Sequence, residues 1–215
     1  MKKETIKLLK TIGVDTRYIS YTPKTIYINN IRFSKFSRQK EETFKKYHPE
    51  IKIKRSSLLQ KICTRSSKIL SQELKPKDTV LLPKITDSTT KLIDLILEPY
   101  TRKYGIKTTR DETEKIDKII GTLTLNIEAY NTLENIFEGK KLKKEEKTNP
   151  PIINPLINIP NQWINDFMDD NNEVNYPKKE YKEVTLEFME FIKPIIPQYK
   201  ENIINSKEFI TEFKK

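Results

Sequence analysis

Apolar and polar residues alternate along the chain with spacings that predict short helices and strands. Residues 5–12 place their apolar side chains on one face of a helix. Strand-like alternation at 25–28 and 31–33 surrounds Asn29 and Asn30. Because asparagine tolerates the left-handed backbone of a tight turn, this arrangement predicts a β-hairpin.

From residue 56 onward the pattern changes to helix, strand and helix. Residues 56–74 have helical spacing, and the apolar run 79–82 predicts a strand. A loop at 83–88 leads into a helix that is expected to start near Lys91 and to stop before Pro99. This strand–loop–helix unit is typical of the beginning of an α/β fold.

The remaining elements continue this pattern, with a charged connector expected at 107–118. The next features are a short apolar run at 118–121, a predicted helix at 128–137, a proline-interrupted edge segment at 152–160, and predicted helices from 161, near 181–192 and around 202–213. We therefore divide the chain into a basic N-terminal region, 1–66, and an α/β domain with a helical C-terminus, 67–215.

Positive charge is concentrated in the N-terminal part of the chain. The net charge of the 215 residues is +11, and residues 24–68 alone contain 13 Lys and Arg against three Glu. Cations gathered in this way favour polyanionic partners such as RNA, DNA or an acidic protein.

Aromatic residues alternate with these cations, which is the composition expected of a surface that binds RNA. Cations contact phosphates, and exposed rings stack on unpaired bases. The candidate RNA-binding residues are Arg32, Phe33, Lys35, Phe36, Arg38, Lys45, Lys46, Lys52, Lys54 and Arg55. The alternative is a solvated charged face whose aromatic residues belong to the core.

Cysteine and histidine each occur once, as Cys63 and His48. This excludes a disulfide within the chain and a zinc site built from these residue types. The helical pattern around Cys63 predicts a buried, small hydrophobic residue. The single Cys and the single His also lead us to expect no bound metal. No apolar signal segment and no run of 18 apolar residues occurs, so we expect a cytoplasmic protein with no membrane partner.

Four segments, in this order, resemble the PP-loop ATP pyrophosphatases, in particular the branch that thiolates the wobble uridine of tRNA. Segment 75–88 is similar to the strand that enters the Ser-Gly-Gly-x-Asp-Ser phosphate loop, and in segment 121–139 a family helix is matched by Glu128, Ala129, Asn135 and Gly139. Segment 155–160 is similar to the family's Pro-Leu-x-x-Ile-Pro motif, and segment 188–210 is similar to its C-terminal tail. The resemblance implies a truncated PP-loop-like (adenine nucleotide alpha hydrolase-like) parallel sheet with flanking helices, preceded by the basic region and its hairpin.

The resemblance also indicates where a vestigial nucleotide site would lie. The matching residues are Lys84, Thr86, Asp87, Ser88 and Glu128. The residues at the start of the helix equally fit ordinary helix capping, and Glu128 fits a surface glutamate.

The chain departs from the family at the positions that carry its chemistry. No glycine pair stands in the phosphate loop, Asn126 and Ile127 replace the acidic pair, and no cysteine follows Cys63. The resemblance therefore implies a non-catalytic subunit, without catalytic residues or cofactor, that holds tRNA while a catalytic paralogue performs the thiolation. The alternatives are a divergent tRNA-modifying enzyme that binds ATP and magnesium, and a basic RNA- or DNA-binding protein unrelated to thiolation.

Overall fold

Two β-sheets organise the residues that the computed structural model describes, 2–85, 87–112, 115–142, 148–168 and 182–212. The helices are α1 (Lys2–Thr11), α2 (Ile31–Ser34), α3 (Arg38–Lys45), α4 (Ser57–Glu73), α5 (Ser88–Tyr104), α6 (Leu125–Phe137), α7 (Asn161–Met168), α8 (Glu183–Ile192) and α9 (Tyr199–Glu212). The strands are β1 (Ile19–Tyr21), β2 (Thr25–Ile28), β3 (Lys52–Arg55), β4 (Thr79–Leu81), β5 (Lys107–Thr109), β6 (Lys118–Ile120) and β7 (Ile152–Ile153). Among the described residues, no helix combines the length and the apolar character needed to cross a bilayer.

The first sheet has the order β1-β2-β3, in which β2 pairs antiparallel with β1 and parallel with β3. Its buried face packs on α1 and α3 in a core that includes Leu9, Ile26, Ile28 and Phe44. The strands and helices of the N-terminal region therefore share a hydrophobic cluster of their own.

The hairpin predicted around Asn29 and Asn30 is wrong, because the partner of β2 is β1. Asn29 is buried and its Nδ2 donates to Ser20 Oγ at 2.8 Å. Asn30 is the N-cap of α2, and its Oδ1 accepts the Phe33 N–H at 3.0 Å. The two asparagines thus end β2 and begin a helix, whereas the hairpin turn lies at 22–24.

The second sheet is parallel throughout and has the order β5-β4-β6-β7. Helices α4, α5 and α7 pack against it, with Leu59, Leu92 and Ile164 fully buried in the core. The chain leaves β4 towards β5 on one side and returns to β6 on the other side. This reversal places the topological switch point of the sheet between the carboxyl ends of β4 and β6, where open parallel sheets commonly bind ligands.

Helix α5 continues through Pro99 to Tyr104, so the predicted stop before Pro99 is wrong. A proline has no N–H to donate to the carbonyl four residues earlier, which here belongs to Leu95. That carbonyl instead accepts the hydroxyl of Ser20, at 2.6 Å, from the first sheet. A contact between distant parts of the chain therefore supports the helix where local pattern predicts its end.

The connector expected at 107–118 contains strand β5, which pairs with β4. This edge strand consists of Lys107, Thr108 and Thr109, two of them exposed, so it carries no apolar signal. Helix α4 spans the boundary proposed at residues 66 and 67, and its buried hydrophobic residues belong to the core of the second sheet.

Candidate functional site

The loop after β4 occupies the position at which the fold would bind a nucleotide. Lys84 is exposed in this loop, and its Nζ lies 3.0 Å from Glu112 Oε1. Thr86, predicted with it, lies outside the described residues. Lys84 is therefore paired with a carboxylate at the protein surface.

The start of helix α5 is closed by a capping box. Asp87 Oδ1 accepts the Thr90 N–H at 2.8 Å, and Thr90 Oγ1 accepts the Asp87 N–H at 2.8 Å. The carboxylate stabilises the positive end of the helix dipole. It also brings a negative charge to the helix end at which this fold would place phosphate oxygens.

Glu128 is joined to the C-terminal helices. It is buried on α6, and its Oε1 accepts a hydrogen bond from Lys207 Nζ of α9. Its charge is thus balanced by a lysine from a distant part of the chain, and the ion pair ties α6 to α9. Within the described parts of the chain, no three His, Cys, Asp or Glu side chains form a group that could hold a metal ion.

Three polar side chains that sequence reasoning missed or undervalued lie at the carboxyl edge of the second sheet. Ser88, Thr124 and Asn161 stand at the starts of α5, α6 and α7, and all three are buried, with exposed fractions of 3%, 0% and 2%. Their hydroxyl and amide atoms have no hydrogen-bond partner among the described residues. The available signal was a hydroxyl or amide residue at the start of the helix that follows each strand. Burial of a polar atom without a hydrogen-bond partner lowers the stability of the folded state, so these atoms are available to bond a ligand at this edge.

Cys63 lies in α4, and its side chain is buried with the core of the second sheet. Burial raises the pKa of Cys63 to about 12, so the side chain is a neutral thiol near pH 7. The structure therefore gives it the packing role that the sequence predicts.

Seven of the predicted RNA-binding cations are exposed. Two of them, Arg38 and Lys45, pair with Glu41, and we call the other five the basic surface: Arg32, Lys35, Lys46, Lys52 and Lys54. Lys52 and Lys54 alternate with the more buried Ile53 and Arg55 along the edge strand β3. Because strand side chains alternate between faces, the two lysines project from the same side of the sheet. The exposed ring of Phe33 lies beside Arg32, whose Cζ is 5.8 Å from the ring centroid.

Three other cations of the predicted set, Arg38, Lys45 and Arg55, surround Glu41, and Phe36 lies in the first core. Arg55 forms an ion pair with the buried Glu41, and its Nη2 donates to the Phe36 carbonyl at 3.1 Å. Arg38 and Lys45 lie 3.4 and 3.5 Å from the same carboxylate. Phe36 is 2% exposed in the first core, so its ring is inaccessible to a base. These residues hold α3 on the first sheet.

The pKa of Glu41 reflects two opposing effects. Burial raises it, whereas the hydrogen bond and charge of Arg55, together with Lys45, lower it by more. The net pKa of Glu41 lies below its ordinary value of 4.5, so the carboxylate is ionised near neutral pH.

Comparison with known proteins identifies the fold. No protein-family model and no curated protein sequence matches the chain. The parallel sheet with flanking helices resembles the fold of a solved tRNA thiolase. The chain is similar to the solved structure of the U34-tRNA thiolase NcsA from Methanococcus maripaludis with its [4Fe-4S] cluster, with a TM-score of 0.56 at 14% sequence identity, over 74% of this chain and 80% of that chain.

The residues of this chain do not fit the groups that a thiolase of this fold would use. An iron–sulfur cluster is held by several cysteine thiolates, and the chain has one cysteine, which is buried as a thiol. A triphosphate loop needs close backbone approach, which glycines permit, and loop 82–87 contains none. The chain therefore lacks the residues that would hold either group.

Proposed function

We propose that this chain is a non-catalytic protein with a tRNA thiolase fold that binds tRNA and supports 2-thiolation of the wobble uridine by a catalytic partner. The observation that carries the proposal is the combination of this fold with a phosphate loop and a cysteine content that cannot perform the reaction. In this proposal the protein acts in the cytoplasm and contributes substrate binding, while the partner contributes adenylation and sulfur transfer.

The basic surface supports the tRNA-binding part of the proposal. None of its five cations has an ion pair among the described residues, so their charge remains available to phosphates. Contacts of this kind provide affinity through release of counterions and depend steeply on salt.

The C-terminal helices support the part that concerns a partner. Phe191 is 66% exposed at the end of α8, and Ile195 is 60% exposed in the turn that follows. Clustered, exposed apolar side chains commonly mark protein interfaces. In our proposal the catalytic partner covers this part of the surface.

Nucleoside mass spectrometry of bulk tRNA tests the proposal in cells with and without the gene. We expect loss of wobble 2-thiouridine derivatives without the gene, and restoration by the wild-type chain or by K84A/D87N. The variant K35E/K52E/K54E should fail to restore them, because it lacks the charge that holds the tRNA. Unchanged thiolation in the deletion strain would contradict the proposal and favour a basic nucleic-acid-binding protein unrelated to thiolation.

Titration calorimetry with ATP and magnesium separates the proposal from a divergent ATP-binding enzyme. We expect no saturable binding up to millimolar ATP, because loop 82–87 lacks glycine and Asp87 opposes phosphate at the helix start. A catalytic thiolase of the same fold serves as the positive control. Stoichiometric binding that Asp87→Lys strengthens and Lys84→Glu removes would favour the enzyme.

A further inference from the structure

A second site lies at the opposite end of helix α5 from the phosphate-loop position. A cavity of about 280 Å³ opens where the first sheet meets α4 and the C-terminal half of α5. Ser88 and Tyr100 are 12 residues apart on this helix, which corresponds to roughly 18 Å at a rise of 1.5 Å per residue. The cavity is therefore distinct from the switch point between β4 and β6.

Aromatic rings from two separate parts of the chain line this cavity. Tyr18, just before β1, and Phe33, in α2, have ring centroids 5.3 Å apart and a tilt of 33°. Tyr100 and Tyr104 come from α5, with centroids 5.8 Å apart and a tilt of 37°. Phe33 is 50% exposed and Tyr104 is 41% exposed, so these two rings are not core residues. The walls therefore offer flat apolar surface to a planar ligand.

Cations and an amide complete the lining. Lys103 Nζ lies 4.5 Å from the centroid of the Tyr104 ring and donates to its hydroxyl at 3.0 Å. Asn30 uses its Oδ1 to accept the Phe33 N–H, and its Nδ2 group has no partner among the described residues. Arg32, which belongs to the basic surface, has its Cζ 5.8 Å from the centroid of the Phe33 ring that lines the cavity. The site thus combines ring-stacking surface, a hydrogen-bond donor and positive charge.

We infer that this cavity binds one unpaired nucleotide, with the base against the aromatic rings and the phosphate near Arg32 and Lys103. Its volume is close to the lower end of ligand cavities, about 300 Å³, which suits one base better than a larger ligand. Stacking on aromatic rings together with cation contacts is the way in which proteins bind single-stranded nucleic acid. The inference rests on the proposed function in that the nucleotide belongs to the bound RNA.

The test compares two double variants at the same positions in the full chain. F33L/Y104L removes both exposed rings, whereas F33Y/Y104F keeps them, and circular dichroism checks that both fold. The probes are a short single-stranded oligouridylate and an RNA duplex of equal length. We expect F33L/Y104L to bind the single strand about tenfold more weakly, the scale of base stacking on a ring, and F33Y/Y104F to bind within about twofold of wild type. Duplex affinity should not change in either variant.

Photocrosslinking with 5-iodouridine in the same oligonucleotide gives a second readout. We expect crosslinked peptides that contain Tyr18, Tyr100 or Tyr104, and competition only at much higher concentrations of free UMP. Wild-type affinity of F33L/Y104L with crosslinks elsewhere would overturn the cavity assignment and leave RNA binding intact. If UMP competes as tightly as the oligonucleotide, the ligand of the cavity is a free nucleotide and not a nucleotide of a bound RNA. Binding of neither RNA by the wild-type chain would overturn this inference together with the proposed tRNA binding.

Discussion

Replacement of Lys35, Lys52 and Lys54 by glutamate is expected to weaken tRNA binding about a hundredfold at 0.1 M salt. All three side chains are exposed, and two of them share one face of the edge strand β3. Removal of one phosphate contact should reduce the slope of log K against log salt by roughly 0.7–0.9, so removal of three should reduce it by about two to three. Fluorescence anisotropy with labelled tRNA over a salt series measures both quantities.

A control triple variant distinguishes the effect of the basic surface on tRNA binding from the effect of net charge. Lys75, Lys107 and Lys115 are also exposed, but they stand at or just before the starts of β4, β5 and β6, at the amino edge of the second sheet. Their replacement by glutamate changes the net charge from +11 to about +5, as does the first triple variant, because each Lys→Glu change removes two charge units. We expect the control to bind tRNA with nearly the wild-type salt slope. Equal reductions in both variants would mean that binding depends on overall charge and not on the basic surface.

The sequence predicts a helix or strand well when the residues that determine it lie in one continuous segment. The apolar runs that become β4 and β6 contribute Val80 and Ile120 to the core of the α/β fold, so their pattern is visible locally. Helix α5 shows the opposite case. At Pro99 the carbonyl of Leu95 accepts the hydroxyl of Ser20, 75 residues earlier in the chain, and local spacing gives no sign of that hydrogen bond.

The basic region could be recognised from composition, but its division into two roles could not. Lys54 and Arg55 are neighbours in sequence, yet strand alternation exposes one and turns the other inward to Glu41. A carboxylate that pairs with three cations is recognisable only when α3 and β3 are packed together. The same limit applies to Ser88, Thr124 and Asn161, because burial without a hydrogen-bond partner is a property of the assembled sheet edge.

The ion pair between Glu41 and Arg55 is expected to be the most important polar contact for the stability of the first sheet. The exposed fractions of the two side chains are 9% and 14%. Arg55→Met should lower the free energy of unfolding by about 2–3 kcal/mol, because it leaves a buried carboxylate without its main partner. Arg38 and Lys45 remain near the carboxylate, which keeps the decrease below that of a fully isolated buried charge. Urea denaturation measures the change.

A second arginine, in an exposed ion pair, tests whether burial is the reason for the large effect expected of Arg55→Met on stability. Arg110 pairs with Asp94 at 2.8 Å, and the two side chains are 41% and 42% exposed. Arg110→Met should therefore cost less than about 1 kcal/mol. Adding Glu41→Gln to Arg55→Met should recover part of the stability, because it removes the charge that the first change leaves unpaired. A double variant less stable than the single variant would contradict a role of Arg55 in balancing that charge.

The same pair sets the direction of the pH dependence. The pKa of Glu41 in the folded protein lies below its ordinary value of 4.5, so the ionised carboxylate favours the folded state. This contribution is present above about pH 4.5 and disappears as the pH falls through the folded pKa. Glu41→Gln removes the titrating group, so its stability should fall less steeply than that of the wild type below that pH. Parallel stability curves for the two proteins between about pH 5 and pH 3 would contradict this prediction, because they would show that ionisation of the Glu41 carboxylate is not coupled to folding.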